Sequence, residues 1–270
     1  MSKIEFVNDP QYIKKQYENA DNLNVRIRLH EQFSANKQGW QSWLFERIAI
    51  PAGARLLELG CGTGNLWLEN LERVPEDVEI ILSDFSEGML AQAQAALAKA
   101  VPRFAFQVID AQEIPFEDDS FDVVIANHML YHVPDRPKAL SGIRRVLKPE
   151  GRFYAATIGK THMRELHQLM SRFDAQLGAW GQSAAEAFCL ENGAEQIKAC
   201  FAQVTLHRYP DSLRVTDADM LLAYILSGRL TLNEVQQAAL VDFVQQEVAA
   251  SPQGFFITKD SGLFEAVASR

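Results

Sequence analysis

Short apolar runs rich in β-branched residues alternate with helix-patterned stretches from residue 54 onward. This is the rhythm of an α/β fold, in which a parallel sheet is covered by helices on both faces. The runs predict strands over Arg55–Leu59, Val78–Ser83, Phe104–Ile109, Phe121–Asn127 and Arg152–Ile158, with helices between them at about 64–73, 87–100 and 136–147. The middle helix, GMLAQAQAALAKA, is dense in strong helix formers and stops ahead of Pro102. The KPEG stretch at 148–151 ends the third helix, and Gly151 is expected to supply the turn into the next strand.

The pattern changes after Gly159. Met163, Leu166, Leu169, Met170, Phe173 and Leu177 recur at helical spacing, so residues 160–200 read as a helical insertion after the fifth strand. Strand character returns at Ala202–Tyr209 and Phe255–Thr258, separated by helices near 217–226 and 231–249. Residues 1–50 are helical in pattern, rich in Tyr, Trp, His and Arg, and end at Pro51-Ala-Gly. The expected organisation is an N-terminal helical cover over 1–50 and a main domain over 51–270. Neither an internal repeat nor a low-complexity tract is present.

The 270 residues are 47% hydrophobic and 23% charged, which is enough apolar material for a core and excludes wholesale disorder. A net charge of -9 repels polyphosphate over most of the surface, so a nucleic-acid partner is not expected. No apolar run approaches the ~20 residues that span a bilayer, and the first residues lack a secretory apolar core. A cytoplasmic chain without a membrane partner is expected. Cys61, Cys189 and Cys200 are odd in number and lack CxxC spacing, which suggests reduced thiols rather than disulfides or a metal knuckle.

The chemistry concentrates in LLELGCGTG, residues 56–64. A strand runs straight into Gly60, Gly62 and Gly64, where missing side chains let the backbone turn sharply and approach a ligand. A dinucleotide fingerprint would read G-x-G-x-x-G; here the spacing is G-x-G-x-G, with Glu58 two positions upstream. An acid there disfavours a pyrophosphate and suits a cation. Asp84 ends the second predicted strand, 20 residues after Gly64, where a carboxylate can accept both hydroxyls of a ribose. It could instead cap the next helix, a task for which Ser86 also qualifies. Asp110 ends the third strand, and with the amides of Ala111 and Gln112 it could read the amino edge of an adenine, or simply occupy a surface turn. All three acids fall on the carboxyl edge of the sheet, where open α/β folds bind ligands.

Four stretches in this order resemble the class I S-adenosylmethionine-dependent methyltransferases, in particular the small-molecule branch that includes the ubiquinone and menaquinone pathway enzymes. They are LLELGCGTGN (56–65), LSDFSEGML (82–90), VIDAQEIPFEDDSFDVVIANHMLYHVPD (108–135) and ALSGIRRVLKPEGRF (139–153). The resemblance implies a Rossmann-like, seven-stranded, mostly parallel sheet whose last strand is antiparallel. It also implies S-adenosyl-L-methionine lying over the glycine loop, with Asp84 at the ribose and Asp110 near the adenine. Glu58, Gly60, Gly62 and Gly64 would shape the methionine end, and Cys61 and Phe85 fall in the same cofactor-binding set. Asn127 and His128, just beyond the fourth strand, would face the sulfonium and a small-molecule acceptor.

Transfer from a sulfonium is an in-line displacement that needs alignment and exclusion of water more than a nucleophile on the protein. If the accepting atom must lose a proton, His128 and His132 are the titrating groups on this edge, with substrate positioning or packing as their other readings. A structural hydrogen bond suits His132 better. Their i, i+4 spacing lacks the Glu of HExxH, and Pro134 interrupts a helix, so metal ligation is not expected. In the N-terminal cover, Tyr17 could contact the sulfonium and Arg28 could pair with the methionine carboxylate, against a reading as an amphipathic packed helix. Trp180 and Phe188 are candidates for the acceptor pocket. A non-catalytic binder of the same cofactor and a nicotinamide-dependent oxidoreductase are the competing functions, and the acceptor itself is not specified by the sequence.

Overall fold

Seven strands form one sheet in the computed structural model, which describes residues 21–100, 103–177, 185–228, 230 and 232–269. The strands are β1 (Arg55–Leu59), β2 (Glu79–Asp84), β3 (Phe104–Val108), β4 (Phe121–Asn127), β5 (Leu147–Ile158), β6 (Gln203–Val215) and β7 (Phe255–Val267). Their order is β3-β2-β1-β4-β5-β7-β6. β1 to β5 pair in parallel, and β7 runs antiparallel to both of its neighbours. The order reverses beside β1, which puts a topological switch point at the carboxyl ends of β1 and β4.

The helices are α1 (Asp21–Phe33), α2 (Trp40–Phe45), α3 (Asn65–Leu68), α4 (Glu87–Ala96), α5 (Arg136–Val146), α6 (Arg164–Phe173), α7 (Gly193–Lys198), α8 (Ala218–Leu226) and α9 (Glu234–Ala249). Because strand side chains alternate, the central strands are apolar on both sides. Leu57, Leu59, Val124 and Phe153 pack with Leu140 and Ile143 of α5 and Ile197 of α7. Leu56, Ile80, Leu82, Val123 and Tyr154 pack with Trp43 of α2, Trp67 of α3 and Ala93 of α4. A third apolar cluster joins α1, α6, α8 and α9 over the far halves of β6 and β7 through Leu29, Leu166, Leu213, Leu221, Leu240 and Ile257.

Several sequence expectations are corrected. The helix expected over 64–73 is a single turn, α3, followed by a 3-10 turn at Leu71–Arg73. β6 and β7 each run for 13 residues, well past the predicted ends, because they pair with each other along their full length. Pro210 is tolerated inside β6 because β6 is an edge strand, where a missing N–H need not break the ladder. The expected turn at 148–151 is instead an irregular opening stretch of β5, where the pairing register with β4 shifts and Glu150, not Gly151, adopts the left-handed region at φ 64. Gly151 is needed for space: a Cβ there would stand 2.8 Å from the Lys148 carbonyl oxygen.

The segment after α1 covers part of the exposed edge of β6. Ser34 bridges to Leu213, and the Ala35 N–H donates to the Ser212 carbonyl at 2.8 Å. Covering an edge in this way removes a template for unwanted strand pairing. Among the described residues no helix is long and apolar enough to cross a membrane.

Candidate functional site

β1 ends at the switch point, and the next five residues alternate with glycines in left-handed conformations: Gly60 at φ 71, Gly62 at φ 56 and Gly64 at φ 80. The three glycines do different work. A Cβ on Gly60 would stand 2.7 Å from Met129 Cβ, so this position admits the neighbouring loop. A Cβ on Gly64 would touch Leu97 and Ala93, so it sets close packing on α4. Gly62 alone faces open space, with nothing within 4 Å of its Cβ position. The bare backbone expected to meet a ligand is therefore at Gly62. Cys61 is buried, and its N–H ties the loop to β2 by donating to the Ser83 carbonyl at 2.8 Å.

Asp84, at the end of β2, holds this loop from the side. Its Oδ2 accepts the Gly62 N–H at 2.9 Å and its Oδ1 accepts the Ser86 N–H at 2.8 Å. Ser86 caps α4 by accepting the Met89 N–H. The helix-cap reading therefore belongs to Ser86, and the Asp84 carboxylate holds the loop instead. Burial raises the Asp84 carboxyl above its ordinary range, opposed by the backbone donors around it. Phe85 follows at 42% exposure, and Val108, paired across from Asp84, is 47% exposed. These two apolar side chains are left in solvent beside an acid. Val108 was missed in the sequence because an apolar residue in a strand reads as core.

Glu58 is the floor rather than the mouth of the loop. It is 1% exposed, and its Oε2 accepts the Trp67 indole N–H at 2.5 Å. Burial, with a smaller contribution from Asp84, pushes its pKa up to about 7, against the Trp67 bond. Asp110 folds back on its own turn: its Oδ1 accepts the Gln112 N–H at 2.9 Å, and the Gln112 side chain bridges on to the Asp135 N–H. The Gln112 amide is thus already taken. Ala111 is buried beside it in the core.

Asn127 ends β4 next to the glycine loop, and its Oδ1 is buried without a hydrogen-bond partner. Buried acceptors of this kind are uncommon and call for a partner. His128 follows in the left-handed region at φ 54, a strained conformation for a residue with a β-carbon. Its N–H donates to the Ala156 carbonyl at 3.1 Å, and its ring lies 5.0 Å from that of Trp40. Burial, then the nearby Lys259 charge, lowers the His128 pKa to about 4, so the imidazole is neutral at pH 7. His132 is lowered to about 4 by burial and then by Arg26, and it packs edge-on to Tyr131 at 4.6 Å.

The N-terminal candidates divide. Tyr17 lies outside the described residues, as does Trp180. Arg28 is exposed on the outer side of α1. Arg26 is the inward arginine of that helix, donating to both the Oγ and the carbonyl of Ser227 at 3.0 Å. Phe188 is fully buried against Phe264 on the α5 and α7 face of the sheet, so it is core rather than pocket lining. The sequence reading also missed a polar group beside His128, made of His30, His162, Lys259 and Asp211.

A family model described as a methyltransferase domain matches residues 50–208, more than half of the chain. The chain belongs to the methyltransferase-domain family. Over 160 residues this methyltransferase-domain protein is 32% identical to a demethylmenaquinone methyltransferase of Symbiobacterium thermophilum, covering 57% of this chain and 62% of that one. Over 115 residues it is 36% identical to the ubiquinone/menaquinone biosynthesis C-methyltransferase UbiE of Geobacter sulfurreducens, covering 42% and 45%. The chain thus spans less than two thirds of the length of either relative. In fold it is similar to phosphoethanolamine N-methyltransferase 2 of Haemonchus contortus, solved in complex with S-adenosyl-L-methionine, with a TM-score of 0.58 at 20% identity. That likeness covers 100% of this chain and 60% of the other. The resemblance read from LLELGCGTGN onward agrees with the family match, and the seven-stranded sheet with β7 reversed is the architecture it implied.

Proposed function

We propose that this chain is an S-adenosyl-L-methionine-dependent methyltransferase acting on a small-molecule acceptor. The observation that carries the reading is the open space over Gly62, whose N–H is fixed by Asp84 at the switch point of the sheet. Two further features fit the same donor. Asn127 offers an unpartnered buried acceptor suited to an ammonium, and Phe85 offers an exposed apolar face suited to an adenine. Asp84 beside the loop, and Glu58 beneath it once the pH passes about 7, add negative charge that favours a cation over a pyrophosphate. The relatives named as methyltransferases support the activity.

When bound, the donor supplies a methyl group already activated on a sulfonium sulfur. The protein's share is to hold and orient the reactants and to keep water out. Asp84 is assigned to the ribose hydroxyls, the loop and Asn127 to the methionine end, and the Asp110 turn to the adenine end. His128, neutral at pH 7 and adjacent to Asn127, is assigned to the acceptor side, where its free ring nitrogen can take a proton from an acidic hydroxyl or amine. The net charge of -9 and the three free cysteines support a cytoplasmic setting without a nucleic-acid substrate.

Titration calorimetry with S-adenosylmethionine and S-adenosylhomocysteine tests this. Both should bind the wild type, and Asp84→Ala should weaken binding by about 2–4 kcal/mol through loss of charged hydrogen bonds. Gly62→Val should abolish binding, because it fills the open space and strains a φ of 56. A wild-type chain that ignores both compounds refutes the reading, and affinity for NAD in their place would favour the oxidoreductase alternative.

A further inference from the structure

Around Lys259 of β7, beside His128, gather side chains from α1, α2, β6 and the segments after β4 and β5. Lys259 pairs with Asp211 of β6 at 2.8 Å, with 8% and 0% side-chain exposure. Its ammonium lies 5.3 Å from the Tyr209 ring centre. Its charge also acts on the rings of His30, His128 and His162, disfavouring a second positive charge on each. His30, from α1, and His162, from the loop after β5, stand 6.1 Å apart between ring centres. Trp40, from α2, bridges His128 at 5.0 Å and Tyr209 at 5.3 Å.

The hydrogen-bonding capacity of this group is lopsided. Asp211 accepts from Ser34 Oγ at 2.6 Å, the Asn36 N–H at 2.9 Å, the Ser212 N–H at 2.8 Å and Lys259. Four donors on two carboxylate oxygens use its acceptor capacity. His162 Nδ1 accepts the Asp260 N–H at 3.2 Å, so the neutral ring carries its proton on Nε2 and presents a donor there. The Trp40 indole N–H is buried without an acceptor, and His30 Nδ1 is buried without a partner. The fixed charges felt by the imidazoles are the cations Lys259 and Arg26. Asp260 is turned to Arg208 and Thr161. The group therefore offers donors from Trp40, His162 and Lys259, its one carboxylate is already saturated, and its remaining acceptors are the unprotonated imidazole nitrogens.

We propose that this cluster binds an anionic group, a carboxylate, of the small-molecule acceptor, with Trp40 Nε1–H, His162 Nε2–H and Lys259 as its recognition elements. Lysine and N–H donors around an oxyanion form charge-assisted hydrogen bonds, and a buried indole N–H with no acceptor is rare unless a ligand completes it. His128 connects this cluster to Asn127 at the glycine loop, so a molecule held here would present its remainder toward the donor site. Calling the ligand the acceptor rests on the methyltransferase reading, whereas anion binding does not.

The test uses benzoate, benzyl alcohol and benzylamine as probes, titrated by calorimetry into the full chain saturated with S-adenosylhomocysteine. Benzoate should bind at least ~10-fold more tightly than benzyl alcohol, and benzylamine should be weakest. Trp40→Phe keeps the ring and removes the N–H. His162→Asn keeps an acceptor for the Asp260 amide and removes the Nε2 donor. Each should weaken benzoate ~5–10-fold with S-adenosylhomocysteine affinity unchanged. If His162→Asn does not fold, Trp40→Phe decides alone. No benzoate binding, equal binding of benzyl alcohol, or benzoate binding indifferent to the folded variants overturns the proposal. A chain that binds benzoate with these sensitivities but never binds S-adenosylhomocysteine would sink the methyltransferase reading and keep the anion site.

Discussion

Replacing Glu58 with glutamine isolates the charge under the glycine loop. Glu58 is 1% exposed, and its Oε2 accepts the Trp67 indole N–H at 2.5 Å. Burial raises its pKa from an ordinary 4.5 to about 7. The folded chain therefore holds this proton more tightly than the unfolded chain does. The associated stability is fully present below pH 4.5 and is lost as pH rises through about 7. A gap of about 2.5 pH units at 1.36 kcal/mol each corresponds to roughly 3 kcal/mol. Glu58→Gln keeps the shape and an acceptor for Trp67 but cannot ionise. Near pH 5 the variant should match the wild type within about 1 kcal/mol, and by pH 8.5 it should be the more stable protein by about 2–3 kcal/mol. Urea denaturation followed by tryptophan fluorescence at several pH values measures the difference, and other titrating groups cancel between the two proteins. A difference that stays flat between pH 5 and 8.5 refutes the elevated carboxyl. A wild type that gains on the variant as pH rises would mean that the ionised form is stabilised by a partner. The same charge bears on function: donor affinity in the wild type should increase as pH rises through 7, and Glu58→Gln should lose that dependence.

Other outcomes follow from the cluster around Lys259. Lys259→Met leaves Asp211 buried without its cation, and should lower stability by about 3–5 kcal/mol in chemical denaturation; a loss under 1 kcal/mol would show that the donors from Ser34, Asn36 and Ser212 suffice without the lysine. His128, His132 and His162 have folded pKa values near 4, 4 and 3, below the ordinary 6.5, so each contributes stability that is present above pH 6.5 and lost as pH falls through the folded values. Thermal denaturation should show the melting temperature dropping steeply below pH 6, and His128→Phe should blunt the drop. An acid limb unchanged in that variant would place its origin in other groups.

The sheet and the glycine loop at its carboxyl edge were legible in the linear pattern because they depend on local rules. Alternating apolar runs specify strands buried on both faces, and three glycines after a strand specify a backbone that side chains would obstruct. The place of Asp84 at the carboxyl edge was legible for the same reason, because it ends a predicted strand of an open α/β sheet. The alternative cap role resolved only in three dimensions, when Ser86 took the Met89 amide.

Features that depend on long-range packing were not legible. Arg26 and Arg28 are two positions apart on α1, about 200° around the helix axis, so only one can face inward. The sequence of α1 is too polar for periodicity to say which. Phe188 is apolar in a helical context, yet only its contact with Phe264 shows that it belongs to the sheet core. Glu58 reads as an acid at a mouth in one dimension and becomes a floor once Trp67 closes over it. His30, Trp40, His162, Asp211 and Lys259 come from segments as much as 229 residues apart, and no spacing rule connects them. The chain alone determined a parallel sheet with a bare loop and acids at its carboxyl edge, since those follow from backbone sterics and strand alternation. The tertiary structure decided which glycine faces open space, which acid is buried, and which distant polar groups meet, because burial and the loss of solvent screening arise only when separate elements pack together.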